Sequence, residues 1–460
     1  MKKFLFISAA TLCISFPTFA GDYLTNTNQN AAFLRMIARG ASIDIDGVYS
    51  NPAGLSFLSH EGFYLSLTGQ SAYQTREIDA TFPLFQQADG TNGSRLYKGT
   101  ASAPFIPSFQ GLYKKDNWVI SASFAITGGG GKASFSNGLP MFDALAMGMI
   151  HQQTGGQVTP QMYDINTSMD GKQYIYGVQL GLSYKINDWL SVFAGGRMNY
   201  FIGGYEGYLK TELKNDYTQI GQMMGLPDGK TLASIDLDCK QTGWGITPII
   251  GADLKFNKLN IGLKYEFKAN LNLENITEKM DLINVDRKYL ADYEDGVNTP
   301  SDIPSMFSAA IGYEILPTLR ASVEYHFFDD KHAGMANVTL PDGTSVAKQK
   351  TLKHGTHEYL AGMEWDITKR LTVSGGFQKT NYGLSDDFQT DTSFSCDSYS
   401  LGFGARVNLT QAWSIDVAYF WTHYNKYTKE TDNYNGTSLK GTDIYNRTNK
   451  VFGLSLNYKF

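Results

Sequence analysis

Two histidines stand close together in this sequence, His354 and His357 in "HGTH", and paired imidazoles are common zinc ligands. A site would need further donors, and no acidic residue follows at ligand spacing, so the pair reads as a solvated turn and no metal is expected. No Gly-x-Ser-x-Gly elbow supplies a nucleophile, and no nucleotide loop or energy-coupling segment is visible. Cys239 and Cys396 are far apart in no motif, and whether they pair stays open. The expectation is a protein that is not an enzyme and holds no cofactor. Two other kinds of feature stand out. "ITGGGGKASF" carries Gly128, Gly129, Gly130 and Gly131 in a row, a pattern that marks a bulge, a bend or lost pairing in a strand. "DIDGVYSNPAGLSFLSH" places Asn51, Pro52, Ala53, Gly54 and Leu55, a rigid turn, among apolar residues.

Two segments carry apolar stripes at helical spacing. They are Leu139, Phe142, Leu145, Ala146 and Met149 in 139–153, and Leu209, Leu213, Tyr217, Ile220 and Met224 in 206–226. Either the stripes pack on each other and on what lies below, or they leave an apolar groove. Methionines at 141, 147, 149, 223 and 224 favour an adaptable surface.

What must position these residues follows from the rest of the chain. Residues 1–20, "MKKFLFISAATLCISFPTFA", read as a secretory signal peptide with cleavage before Gly21. Beyond it no apolar run reaches the roughly 18 residues of a spanning helix. Mean hydropathy is −0.26 and net charge −5, which suggests neither an inner-membrane protein nor a nucleic-acid partner. An exported chain with 47 Gly, 28 Tyr and 28 Phe but 3 Cys is either a soluble sandwich or an outer-membrane barrel.

Alternation decides between them. Fourteen segments alternate apolar or aromatic residues with small or polar ones: 62–73, 105–114, 118–126, 174–186, 190–202, 243–256, 259–271, 305–315, 318–328, 357–367, 370–380, 398–409, 413–424 and 450–460. Each has at least the roughly 9–11 residues that a tilted strand needs to cross a bilayer. Short turns ("KDN", "ND", "NK", "LP", "TK", "TQA") join every second pair, and longer loops join the others. That asymmetry belongs to an outer-membrane barrel. The expected fold is all-β, a 14-stranded antiparallel transmembrane β-barrel over residues 61–460 with long outer loops at 127–173, 203–242 and 272–304. Trp118, Trp189, Trp244, Trp365 and Trp413 fall near strand ends, where aromatic girdles lie. Phe452, Leu454, Leu456, Tyr458 and Phe460 share one face of the last strand, and the terminal aromatic resembles the signal read by the bacterial barrel-assembly machinery.

A leader, some forty residues, "NPAGL" and then fourteen strands resemble the FadL/TodX family of outer-membrane transporters over essentially the whole chain. The resemblance implies that residues 21–60 form a hatch plugging the lumen, closed by Asn51–Leu55, with Phe33, Leu34 and Ile37 of "AAFLRMIA" facing a lumen pocket. Arg35 and Arg39 would then meet Asp44, Asp46 or lumen carboxylates. It implies that Gly128–Gly131 form an inward kink in strand 3 through which hydrophobic ligand leaves sideways, and that Leu139, Phe142, Leu145, Met149, Leu213, Ile220 and Met224 line the capture groove. The cargo it implies is a long-chain fatty acid or similar hydrophobic compound, moved by passive diffusion. Each buried CH₂ contributes about 0.8 kcal/mol, so an alkyl chain needs few polar contacts. Arg197, Lys264 and Arg406 are indistinguishable candidates for a carboxylate head. The hatch start, "GDYLTNTNQNAAFL", is more polar than the fatty-acid transporters of this family lead one to expect. The expected partners are hydrophobic small molecules, outer-membrane lipids and the assembly machinery, for a monomeric chain. Rival readings are a general porin, a surface receptor or adhesin, and a barrel lipase.

Overall fold

The computed structural model describes residues 27–460 except Thr91, Pro227, Pro341 and Asp342. The expected leader and the first residues of the expected hatch, 21–26, lie outside the described residues.

Alternating side chains build a closed antiparallel barrel. Its strands are β1 (Gly62–Thr81), β2 (Ser94–Lys115), β3 (Trp118–Phe135), β4 (Tyr163–Lys185), β5 (Leu190–Leu213), β6 (Thr231–Phe256) and β7 (Leu259–Glu266). They continue as β8 (Met306–Leu316), β9 (Leu319–Phe328), β10 (Thr356–Asp366), β11 (Leu371–Asn381), β12 (Ser398–Asn408), β13 (Trp413–Tyr424) and β14 (Gly441–Lys459). Each pairs with its neighbours, and β1 pairs with both β2 and β14, which closes a ring of fourteen. Closure removes the sheet edges that a bilayer cannot satisfy.

The two faces differ as a lipid-embedded wall requires. Leu67, Ile120, Leu180, Val323, Phe403 and Val417 point outward and are more than half exposed. Ser66, Thr68, Gln70, Ser121, Asn199 and Asp416 point inward and are buried. At the short-turn end the backbones of Phe63 and Phe460 exchange two hydrogen bonds, 2.9 and 3.0 Å, so the terminal residue completes the seam.

Several strands run well past the segments that alternate. β6 is 26 residues long and β5 is 24. The additional stretches, such as "QTREIDAT" at the end of β1, are polar on the outward face (Thr75, Glu77, Asp79 and Thr81) and bury Ile78 and Ala80 inward in the outer-loop cluster, the reverse of the lipid-facing alternation. The long loops are correspondingly shorter than the sequence suggested. Strand 7 is the reverse case: it stops at Glu266, and Asn272–Ile283 turns away to pair with the upper part of β6.

The expected helix over 206–226 is a correction. Residues 206–213 extend β5, paired on both sides, and only Thr218–Met223 is helical. Leu209 and Leu213 are four apart, a spacing that shares one face of a strand as well as of a helix. The other expected helix is present as Pro140–Gln153.

Candidate functional site: a filled bore beside a break in the wall

The first described residues run inside the barrel. They form a short helix, Ala31–Arg35, a second, Gly47–Ser50, and a 3₁₀ turn, Ala53–Phe57. A chain threaded through a lumen has no sheet to complete its backbone hydrogen bonds, and buried groups need partners. The wall supplies them. Gln179, Ser183 and Ser191 donate to the carbonyls of Val48, Pro52 and Ala53 at 2.7, 2.6 and 2.6 Å. Lys264 donates to Tyr49 O at 2.8 Å and Asn260 to Ala41 O at 3.0 Å. The Gly40 amide donates to Glu324 at 2.7 Å. Near the start, Asn30 caps the first helix by accepting from Ala32 N at 2.8 Å and donates to Gln110 at 2.8 Å.

Contact this close needs a wall without side chains. A Cβ at Gly262 would lie 1.9 Å from Gly40 O, and one at Gly402 would lie 2.2 Å from Leu34 O. Gly362, Gly376, Gly404 and Gly453 would meet Met36, Ile37, Arg35 and Leu34 at 2.5–2.9 Å. These glycines form a shallow bed on neighbouring strands. No sequence motif announces it; the signal was glycine on the inward register of several strands.

Charge fixes the hatch in the bed. Arg35 bonds Asp416 at 2.7 Å and Glu364 at 2.6 Å. Arg39 bonds Asp46 at 2.7 Å and Glu364 at 3.1 Å. Arg406 bonds Asp416 at 2.9 Å and also Asp44. Burial alone would raise the Asp44 carboxyl, but Arg406 and Arg39 outweigh it and hold it below the ordinary carboxylate range. Arg197 pairs with Glu266, as does Lys264 at 3.0 Å. The three cations offered as head-group partners thus face the hatch or its carboxylates, and none is among the described residues lining the cavity below. A lone lumen cation would be costly, which is why each is paired.

Asn51–Leu55 lie at the short-turn end. Asn51 donates to Asp253 at 2.5 Å and accepts from Gly54 N at 3.2 Å. A Cβ on Gly54 would meet that Asn51 amide at 2.4 Å. Leu55 and Leu58 pack with Ile45, Val48, Leu112 and Val119. Phe57 sits between the ammonium groups of Lys185 and Lys255, 6.0 and 5.7 Å from its ring centre.

Above the first helix lies a cavity with about 1390 Å³ of atom-free space, including its opening to solvent. Phe33 lines it, whereas Leu34 and Ile37 are turned into the glycine bed, so the expected trio divides. One side of the cavity reaches Gly129 and Ile106, and there the wall is interrupted. β2 and β3 pair from Lys115↔Trp118 to Phe109↔Phe124 and again from Ser102↔Lys132, with no pairing between. The unpaired part of β2 contains Pro104 and Pro107, which have no N–H to donate. On the β4 side, register shifts fall between Ile126 and Gly128 and between Gly129 and Gly131, and Gly129 has φ +67°. Its Cβ would lie 2.5 Å from Gln173 O, so this conformation requires glycine. Ala103, Ile106 and Ile126 fill the break from inside together with Phe33 of the hatch.

The outer loops gather one apolar cluster with the upper strands. Leu139, Leu145 and Leu213 are buried in it, and Phe142, Met149 and Ile220 pack against it. Met224 is 45% exposed. Cys239 and Cys396 do not bond to each other; each thiol approaches a backbone carbonyl at 3.7 Å. His354 Nδ1 donates to Gly355 O at 2.7 Å, and His357 Nδ1 shares a hydrogen bond of 2.8 Å with the Tyr325 hydroxyl.

A family model described as "Outer membrane protein transport protein (OMPP1/FadL/TodX)" matches residues 11–460. Comparison with curated proteins finds no match. Among solved structures, a Pseudomonas aeruginosa FadL homologue is 16% identical, with TM-score 0.66, covering 96% of this chain and 100% of its own. The Pseudomonas putida toluene transporter TodX is 13% identical, with TM-score 0.53 over 91% and 94%. The Ralstonia pickettii toluene transporter TbuX is 15% identical, with TM-score 0.52 over 90% and 94%. At these identities the likeness is one of fold.

Proposed function

The chain belongs to the outer membrane protein transport family (OMPP1/FadL/TodX), and on that premise we propose that it admits hydrophobic compounds by passive diffusion and releases them sideways. Residues 1–20 act as its export leader. The outer-loop cluster with Leu139, Phe142, Leu145, Met149, Leu213, Ile220 and Met224 takes up the solute, the lumen cavity holds it, and the break between β2 and β3 beside Gly128–Gly131 lets it out. Asn51–Leu55 and the charged hatch keep the bore closed to water. Cargo with an extended apolar body suits this route, the class to which long-chain fatty acids belong. The toluene carried by the related transporters TodX and TbuX is a smaller member of the same apolar class. The stripe ending at Phe460 is the face offered to the assembly machinery, and the chain works as a monomer.

The observation that carries this reading is the missing ladder between Ser102 and Phe109, stopped from within by Phe33, Ala103, Ile106 and Ile126. Phe33 and Ile106 line the cavity on the inner side of the break, and Phe105, 70% exposed, stands on its outer side. An open diffusion porin is disfavoured because the hatch fills the bore and its polar groups are bonded to the wall.

The test is Ala103→Trp, which adds bulk to the 5%-exposed inner mouth of the break. Transfer of a radiolabelled alkyl compound into proteoliposomes is expected to fall to the protein-free rate, while the folded barrel keeps its heat-modifiable migration. Undiminished transfer in this variant would exclude the side route.

A further inference from the structure

The cavity has two chemically distinct walls, and their difference bears on what the cargo carries at its polar end. Phe33, Ala72, Ile106, Phe420 and Val451 make an apolar side from β13 through β14 and β1 to β2, continuous with the break. Two residues further along β1, β14 and β13, Gln74, Asn449 and Thr422 begin a polar side that continues through Ser400, Thr380, Gln378 and Glu358 on β12–β10. This polar side runs round the ring from β14, two places from β2, to β10, which lies across from the break.

The polar side is built from amides, hydroxyls and one carboxylate. Glu358 accepts from Gln378 at 2.6 Å, from Thr380 at 3.2 Å and contacts His326 at 3.0 Å. Ser400 and Thr422 share a hydrogen bond of 2.9 Å. The Oδ1 of Asn449 is buried and has no hydrogen-bond partner among the described residues. No lysine or arginine lines the cavity among the described residues. Three nearby cations are engaged elsewhere. Lys348 donates to Ser393 at 2.8 Å and lies over the Phe388 ring, and Arg447 lies over the Tyr424 ring and donates to Phe394 O at 3.4 Å. Lys268 is held by Asp302 at 2.9 Å.

A carboxylate placed here would leave water without gaining a counter-charge, beside Glu358, and could offer Asn449 no donor. A hydroxyl does both jobs at once: its O–H donates to Asn449 Oδ1 and its oxygen accepts from a threonine or serine. We propose that the cavity selects apolar compounds that end in an uncharged hydroxyl group, alcohols or phenols, over the fatty acids of equal chain length. The hydroxyl sits at the Thr380–Ser400–Asn449 wall and the apolar body lies toward the β2–β3 break. This rests on the transport reading above and specifies its substrate.

The experiment is equilibrium binding of tritiated 1-dodecanol, dodecanoate, dodecylamine and dodecane to the purified protein in detergent, above the titration range of the fatty acid. Dodecanol is expected to bind about tenfold more tightly than dodecanoate, the effect of one satisfied buried acceptor against an uncompensated charge. In Asn449→Leu its affinity is expected to fall to that of dodecane, with dodecane unchanged. Because dodecane needs no polar contact, its binding also reports that the variant is folded. Dodecanoate or dodecylamine binding as tightly as dodecanol would overturn the inference while leaving the transport reading intact, and so would an alcohol affinity unmoved in Asn449→Leu. If none of the four binds, the transport reading itself fails and the inference with it.

Discussion

Replacing Arg35 with methionine keeps the side-chain length and removes the charge that ties the hatch to two strands at once. Arg35 is 1% exposed, bonded to Asp416 at 2.7 Å and to Glu364 at 2.6 Å. Charge-assisted bonds contribute about 1.5–3 kcal/mol each, and the variant no longer buries a guanidinium, which returns part of that. The carboxylates are not left bare: Glu364 keeps Arg39 at 3.1 Å, and Asp416 keeps Arg406 at 2.9 Å and Asn457 at 2.7 Å. The net loss is then about 3 kcal/mol, or about a hundredfold in the equilibrium between seated and released hatch. Hydrogen exchange of the folded protein in detergent, read by mass spectrometry, measures that equilibrium at the Met36 amide, which is bonded to Ala32 O. Exchange across 31–58 is expected to quicken about a hundredfold in Arg35→Met and less in Arg35→Lys, with the strands unchanged. Equal hatch exchange in wild type and Arg35→Met would refute the claim that the buried ion pairs hold the plug.

Gly402→Val tests the glycine bed, since its Cβ would meet Leu34 O at 2.2 Å; hatch exchange should rise by the equivalent of about 1–3 kcal/mol while the barrel migrates as folded. Asp143 in the outer helix has its pKa raised by burial, against the pull of the Tyr97 hydroxyl at 2.7 Å and Arg95 at 3.0 Å. A carboxyl raised on folding contributes stability below its unfolded pKa and loses it as pH rises through the folded value. Protection of Pro140–Gln153, corrected for intrinsic exchange, should therefore be greater in mild acid than at neutral pH, and Asp143→Asn should abolish the difference.

The lipid-facing half of the barrel was readable because outward residues must be apolar and inward ones need not be. Each alternating segment and each two- or three-residue turn left a trace. The outer extensions were not legible, because there the outward side of "QTREIDAT" carries Thr75, Glu77 and Asp79 while Ile78 and Ala80 turn inward, the reverse of the lipid-facing alternation. Leu209 and Leu213 misled because a spacing of four fits a strand face as well as a helix. The partners of Arg35, Arg39 and Arg406 could be anticipated only as a class. Glu364, Asp416 and Asp253 are single acidic residues on inward registers, and sequence does not say which strand faces which part of the hatch. Phe33 and Ile37 look equivalent on a helical wheel, but only the three-dimensional bed of Gly376 and Gly402 sends Ile37 to the wall. The Asn449 acceptor and the cation-poor cavity side arise from residues scattered over several strands and are invisible along the chain.

In the proposed route the barrel's bore is closed by its own N-terminal segment, so that water and ions are refused while apolar solutes pass. Planar-bilayer recording of the purified protein tests this most directly. A flat baseline, with conductance appearing only when the hatch is loosened as in Arg35→Met, is the result expected here. A large, steady conductance from the unaltered protein would contradict it.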